Sequence, residues 1–170
     1  MEFDELLKSR YSCRKFNDKE VEQEKIDEII KAASIAPTAV NMQPFKIFNV
    51  KSTEAKLALN ESCRYTFGAD NFLIVGYKNE LGWTRKFDSR PFADVDASIV
   101  ATYIMLKIKD LGLDTTWVGY FDEPKLKSLC PALNDYELIA IFPIGYAADD
   151  AEPSPRHYER KHINEITQTI

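Results

Sequence analysis

Arg10, Ser12 and Arg14 stand at every second position of the run Ser9-Arg10-Tyr11-Ser12-Cys13-Arg14-Lys15-Phe16. In an extended backbone that spacing turns the three side chains to one side. In a helix Arg10 and Arg14 would still be neighbours at i and i+4. Two guanidinium groups and a hydroxyl brought together suit a phosphate, which arginine grips in a fork and serine supplements with a donor. The alternative is a solvated basic turn after a short helix, because isolated surface charges contribute little. The cluster stands out from an acidic background: 27 Asp and Glu against 22 Lys and Arg, a formal charge of -5. Such a balance argues against a general nucleic-acid surface.

A second stretch, Ala36-Pro37-Thr38-Ala39-Val40-Asn41-Met42-Gln43-Pro44, follows an amphipathic helix and precedes a strand. The amides of Asn41 and Gln43 both donate and accept, which suits hydroxyls or a carbonyl edge; ordinary turn chemistry between two prolines would use the same residues. Together the two stretches resemble the N-terminal signature of the FMN-dependent nitroreductase family, an Arg-x-Ser-x-Arg run, a helix, then Pro-Ser/Thr-x-x-Asn-x-Gln-Pro. The likeness continues through Gly112-Leu113-Asp114-Thr115-Thr116-Trp117-Val118-Gly119 to Arg160-Lys161.

The resemblance implies a nitroreductase-like α+β fold, a central, mostly antiparallel sheet flanked by helices, in a domain-swapped homodimer. Residues 1–170 would form one FMN-binding domain, with the 147–170 tail packing on the partner subunit. It implies FMN as cofactor, NADH or NADPH as electron donor, and a small-molecule acceptor such as a nitroaromatic or a quinone, reduced by ping-pong hydride transfer. Arg10, Ser12 and Arg14, with Arg160 and Lys161, would hold the phosphate, and Tyr11 would be a further cofactor-binding residue. Pro37, Thr38, Asn41 and Gln43 would approach the flavin from the neighbouring subunit. Trp117, Val118 and Gly119 match the segment near the pyrimidine edge and N5, where backbone N–H groups donate. The flavin carries the chemistry in such enzymes; Arg14 is the candidate for stabilising charge on the reduced ring. A non-catalytic module that stores or senses FMN would use the same residues. The chain is short for the family, Tyr158 stands where some members have a phosphate-binding lysine, and Cys13 replaces a small aliphatic residue.

The elements that must position these groups can be read from periodicity. Residues 2–9 predict a short helix with Phe3, Leu6 and Leu7 on one face, and Glu22 to Ile35 a helix burying Ile26, Ile29, Ile30 and Ala33. Phe45–Val50, Asn71–Tyr77, Thr115–Tyr120 and Glu137–Tyr146 read as strands, and Thr53–Ser62 as a helix. Asp94 to Leu111 is the longest helix, ended by Gly112 and apolar over more than one face (Val95, Ile99, Tyr103, Leu106). Asp122 can cap a helix that starts near Pro124 and buries Leu126 and Leu129. The piece from Asn79 to Phe92 is irregular, and Ala147–Tyr158 reads as a linker-like tail.

At 170 residues, 45% hydrophobic and 29% charged, the chain has the composition of one globular domain. Strands and helices mix without a βαβ rhythm, which gives α+β. The odd, widely spaced cysteines (Cys13, Cys63, Cys130) point to a reduced, cytoplasmic setting, with no signal peptide or membrane-spanning run. The only histidines, His157 and His162, have no zinc-ligand spacing around them, so no metal is expected. There is no Rossmann glycine fingerprint, no Walker motif and no nucleophile elbow.

Overall fold

The most apolar runs of the chain become the two central strands. A computed structural model describes residues 1–170, with helix α1 (Phe3–Ser9), α2 (Gln23–Ser34), strand β1 (Phe45–Val50), α3 (Thr53–Ser62), β2 (Asn71–Tyr77), β3 (Thr84–Arg85), β4 (Arg90–Pro91), α4 (Ala93–Asp110), β5 (Asp114–Thr115), α5 (Glu123–Leu129), β6 (Glu137–Gly145) and α6 (Ile163–Ile166). The main sheet has the order β1-β2-β6-β5 and is antiparallel throughout, so the expectation of an α+β fold around a mostly antiparallel sheet is met.

Both faces of the sheet are covered, which explains why β2 reads as a continuous apolar run rather than an alternating one. Leu73, Val75, Ala140, Phe142 and Ile144 pack under α2 and α4. Phe72, Ile74, Leu138 and Ile141 pack on the opposite side with Leu59 of α3 and Leu126 of α5. A register shift between Val75 and Gly76 lets Leu138 and Ile141 share a face despite their odd separation, as a bulge does by adding one residue to one strand.

Helix α4 lies across the first core with Ala97, Val100, Ala101, Ile104 and Ile108 fully buried. Its other apolar residues form a second face, with Val95, Ile99 and Leu106 half-buried and Tyr103 exposed. Gly112 ends it in a Schellman motif: φ is +74°, Leu113 N–H donates to Ile108 O at 3.1 Å, and Gly112 N–H donates to Lys109 O at 3.0 Å. Asp122 caps α5 by accepting from Lys125 N–H at 3.0 Å.

Two expectations need correction. The strand expected over Thr115–Tyr120 is only Asp114–Thr115, followed by a single bridge between Val118 and Ile141, because Thr116 and Trp117 step away from the ladder. Leu129 is exposed while Leu126 is buried, since α5 has only 7 residues and turns one narrow stripe to the core. In α1 Leu6 alone is buried, and Phe3 and Leu7 are exposed. The 79–92 piece folds into the small β3–β4 hairpin, whose stem stacks Trp83 edge-on against Phe92 with ring centroids 5.2 Å apart.

The turn between the basic run and α2 is clamped to the end of the sheet. Tyr146 OH donates to Glu22 Oε2 at 2.7 Å, Lys25 Nζ donates to Tyr146 OH at 2.7 Å, and Lys19 Nζ sits 3.8 Å from the ring centroid. The bond from Tyr146 is the main reason the Glu22 carboxyl falls from the ordinary 4.5 to about 2. A carboxyl depressed on folding contributes stability above its unfolded value and loses it as pH falls toward its folded one. The Tm difference between the wild-type protein and Glu22→Gln should therefore be largest above about pH 4.5 and shrink toward pH 2. A difference that stays constant across that range would show that the Tyr146 clamp does not depend on the Glu22 charge.

Candidate functional site

After α1 the chain turns extended at Arg10 (φ -68°, ψ 127°) and docks on the edge of the sheet. Ser12 forms a parallel bridge with Thr115, and Cys13 N–H donates to Thr115 O at 3.0 Å. Farther along, Phe16 bridges Ala147, Asn17 N–H donates to Tyr146 O at 2.9 Å, and Ala148 N–H donates to Lys15 O at 3.1 Å. The run is thus held on both sides. Cys13 is its inward residue, fully buried, with Sγ 3.2 Å from Lys15 O. Tyr11 OH lies 3.8 Å from that sulfur, and burial, more than the Cys13 contact or the charge of Asp114, pushes the Tyr11 hydroxyl well above the usual phenol range. Lys109 sits 5.5 Å over the Tyr11 ring and pairs with Asp114 at 2.8 Å.

With Cys13 inside, Ser12 and Arg14 face outward into a cavity of about 220 Å³, whose other walls are Ser154, Arg156 and His157. None of the five residues is acidic or apolar. The hydroxyls of Ser12 and Ser154 make no hydrogen bond within the chain, and neither arginine has a carboxylate partner; Arg14 Nη1 donates to Ser12 O at 3.1 Å. Arg10 is half-buried beyond this cavity. Arg160 and Lys161 lie on the exposed tail, where Arg160 Nη1 donates to its neighbour's carbonyl, Glu159 O, at 2.7 Å. Within one chain the structure therefore brings Ser12 and Arg14 together with three residues that the sequence did not assign to the site, Ser154, Arg156 and His157. Their signal was Ser154-Pro155, a turn start just ahead of an arginine and a histidine.

The Pro37–Gln43 loop is the second element. Pro37 follows α2, Thr38 is extended, and its Oγ1 accepts from Gln43 N–H at 3.1 Å. Val40, Asn41 and Gln43 all have left-handed φ, at 54°, 56° and 51°. Left-handed backbone is uncommon outside glycine and an outlier for a β-branched residue. What holds the loop there is a buried carboxylate: Asp96, 2% exposed at the start of α4, accepts from Ala39 N–H at 2.8 Å. Gln43 Nε2 donates to Asn41 Oδ1 at 3.2 Å, leaving Asn41 Nδ2 and Gln43 Oε1 without a partner in the chain. Both side chains are exposed.

The third element is Trp117–Gly119. Val118 is buried and exchanges two backbone hydrogen bonds with Ile141, each 3.0 Å. Trp117 is half-buried, edge-on to Phe142 with centroids 5.4 Å apart. Gly119 is exposed, its N–H donates to no group of the chain, and a Cβ there would meet only Trp117 Nε1 at 4.0 Å. The fold alone does not demand glycine at this point. What glycine leaves is an open N–H with room above it.

These elements occupy opposite ends of α4. Ala39 is tied to Asp96 near its start, while Lys109 near its end covers Tyr11 of the basic run. Thirteen residues of helix separate the two anchor points, about 20 Å at 1.5 Å per residue. The cavity without carboxylates thus lies toward one end of α4 and the free amides toward the other.

The nitroreductase family model matches residues 7–70 and 64–146, nearly all of the sheet and helices just described. The chain belongs to the nitroreductase family. A nitroreductase family protein of Clostridium difficile superposes with a TM-score of 0.90 at 34% identity, over 99% of this chain and 98% of that one. A protein of Archaeoglobus fulgidus provisionally named NADH dehydrogenase/NAD(P)H nitroreductase is 28% identical over 156 residues, 86% of each chain. A provisionally named nitroreductase of Exiguobacterium sibiricum, solved with FMN, shares the fold at 21% identity with a TM-score of 0.83, covering 100% of this chain and 98% of that one. Membership and the names of these relatives place the chain in an oxidoreductase family.

The strain in the 37–43 loop can be measured. Val40 is mostly exposed, so glycine there removes little burial. It relieves a left-handed cost of about 1–2 kcal/mol against roughly 0.4–1 kcal/mol of added unfolded-chain freedom. Val40→Gly should melt at the same temperature as the parent or higher. A clear drop in Tm would mean that the valine side chain makes contacts that outweigh the strain.

Proposed function

We propose that the protein is an FMN-dependent NAD(P)H oxidoreductase that reduces nitroaromatics, quinones or similar electrophiles, working as a homodimer in which each flavin is held by two chains. The observation that carries this reading is the cavity of Ser12, Arg14, Ser154, Arg156 and His157, which offers two guanidiniums, two hydroxyls and an imidazole and no carboxylate. That donor set fits a phosphate monoester. Support for FMN in particular comes from the Exiguobacterium sibiricum relative, solved with it, and for a nicotinamide donor from the name of the Archaeoglobus fulgidus one.

When bound, the flavin would supply the redox chemistry, accepting hydride from NADH or NADPH and passing electrons to the acceptor in a separate half-reaction. The chain's own residues bind and orient it. Ser12 and Arg14 hold the phosphate, and buried Cys13 sets their outward direction before anything binds. The free N–H of Gly119 is a donor for a ring position that gains charge on reduction, which is where fixed donors contribute most. Asn41 and Gln43, pre-set by the Asp96 contact, offer an unpaired amide donor and acceptor to the flavin of the other chain.

The second copy is supported by two apolar features without cover. A groove of about 440 Å³ between α1, α2 and α4 is lined by Phe3, Leu6, Ala32, Ile35, Tyr103 and Leu106. On the tail, Ile163, Ile166 and Ile170 are all exposed, and a helix as short as α6 cannot bury its own apolar face. Residues 147–157 of the expected 147–170 partner-packing tail are held against the basic run of their own chain, so in this reading only the part of the tail beyond His157 packs on the partner.

The purified protein should be yellow and release FMN, not FAD, on denaturation. Arg14→Ala should weaken FMN binding by about tenfold or more, on the order of 1.4 kcal/mol. A colourless protein that takes up no flavin in titration would end the proposal, and a loss under about twofold would reduce Arg14 to a solvated charge.

A further inference from the structure

We infer that Arg156 and His157 are phosphate-binding residues, and that this short turn, rather than the Arg160-Lys161 pair of its own chain, closes the anion cavity over Ser12 and Arg14. The inference deepens the flavin reading and rests on it for the identity of the ligand, but its geometry stands apart from it.

Residues Pro155–His157 form one 3-10 turn, closed by His157 N–H to Ser154 O at 2.7 Å and Tyr158 N–H to Pro155 O at 3.1 Å. Proline restricts the backbone at the first turn position, so the two following side chains are presented with little conformational freedom left to lose. The imidazole of His157 lies edge-on to two tyrosines, with centroids 6.4 Å from Tyr11 and 5.1 Å from Tyr158. Those contacts fix the ring plane while both ring nitrogens make no hydrogen bond within the chain. Tyr11 belongs to the basic run itself, so the same contact joins the turn to Ser12 and Arg14.

Charge supports the assignment. Lys15, on the basic run, pairs with Asp150, and Lys109 of α4 pairs with Asp114 beside it, whereas Arg10 has no carboxylate partner. Arg14 and Arg156 have no such partner although Asp and Glu exceed Lys and Arg in the chain. Two guanidiniums facing one small polar cavity repel each other unless an anion lies between them. A terminal phosphate, doubly charged and rich in acceptors, meets that requirement, with the hydroxyls of Ser12 and Ser154 and the His157 N–H as further donors.

The test is a flavin fluorescence titration of the full-length protein with FMN and with riboflavin, which has the same ring and no phosphate. Arg156→Gln and His157→Gln are compared with wild type and with Lys15→Gln, whose cation is paired with Asp150 outside the cavity. Arg156→Gln should weaken FMN about tenfold or more and leave riboflavin unchanged, His157→Gln should do the same to a smaller degree, and Lys15→Gln should stay near wild type. FMN affinity within about twofold of wild type in Arg156→Gln, or equal losses for FMN and riboflavin, would overturn the inference. If wild type binds neither flavin, the flavin reading fails and the cavity is judged with inorganic phosphate by calorimetry. Phosphate binding that disappears in Arg156→Gln upholds the site, and no phosphate binding to wild type overturns it.

Discussion

The side chain of Cys13 is fully buried, and the extended run that carries it pairs with Thr115 on one side and with Tyr146–Ala148 on the other. Side chains in extended backbone alternate, so one buried position dictates the direction of its neighbours. A slip by one residue would turn Ser12 and Arg14 into the core and cost the burial of an unpaired charge. The two segments that flank the anion cavity both leave from this joint. The basic run enters it, and the chain from Ala147 to His157 departs from it.

Helix α4 sets the second constraint. Its buried stripe fixes it across the sheet, its end covers Tyr11 through Lys109, and its start holds the 37–43 loop through Asp96. The helix therefore sets the anchor of the basic run and the anchor of the amide loop about 20 Å apart along its axis. A loop with three left-handed non-glycine residues persists only where its surroundings over-determine it, and such strain gathers at binding elements. The half-buried second face of α4, with Tyr103 exposed, and the uncovered isoleucines of the tail support the proposal of a second copy that would carry one end of the site to the other.

Much of this was legible in the sequence because the signals were local. Phe45–Val50, Asn71–Tyr77 and Thr53–Ser62 form as their apolar runs and periodicity indicate, and Gly112 caps α4 as read. The extended alternation of the basic run called for Arg10, Ser12 and Arg14 on one side; Ser12 and Arg14 share the cavity, and Arg10 lies beyond it. What was not legible depended on tertiary neighbours. The strand after Leu113 is short because Thr116 and Trp117 leave the ladder, which no propensity of Thr115–Tyr120 reveals. Arg156 and His157 join the cavity only because the tail folds back beside Tyr11, a contact between residues nearly 150 positions apart. The resemblance pointed instead to Arg160 and Lys161, which in their own chain remain on the exposed tail.

The central claim is that one flavin is held by the basic run of one chain and the amide loop of another. The most direct measurement is flavin stoichiometry in mixed dimers. Arg14→Ala and Asn41→Ala proteins, each defective in both of its sites, are unfolded together, refolded as a mixture and titrated with FMN beside each parent alone. If the site spans two chains, a mixed dimer holds one site with both defects and one with neither, and tight FMN binding should reappear. If Arg14 and Asn41 serve the same flavin from within one chain, every site in the mixture stays defective, and no recovery of tight binding would contradict the account.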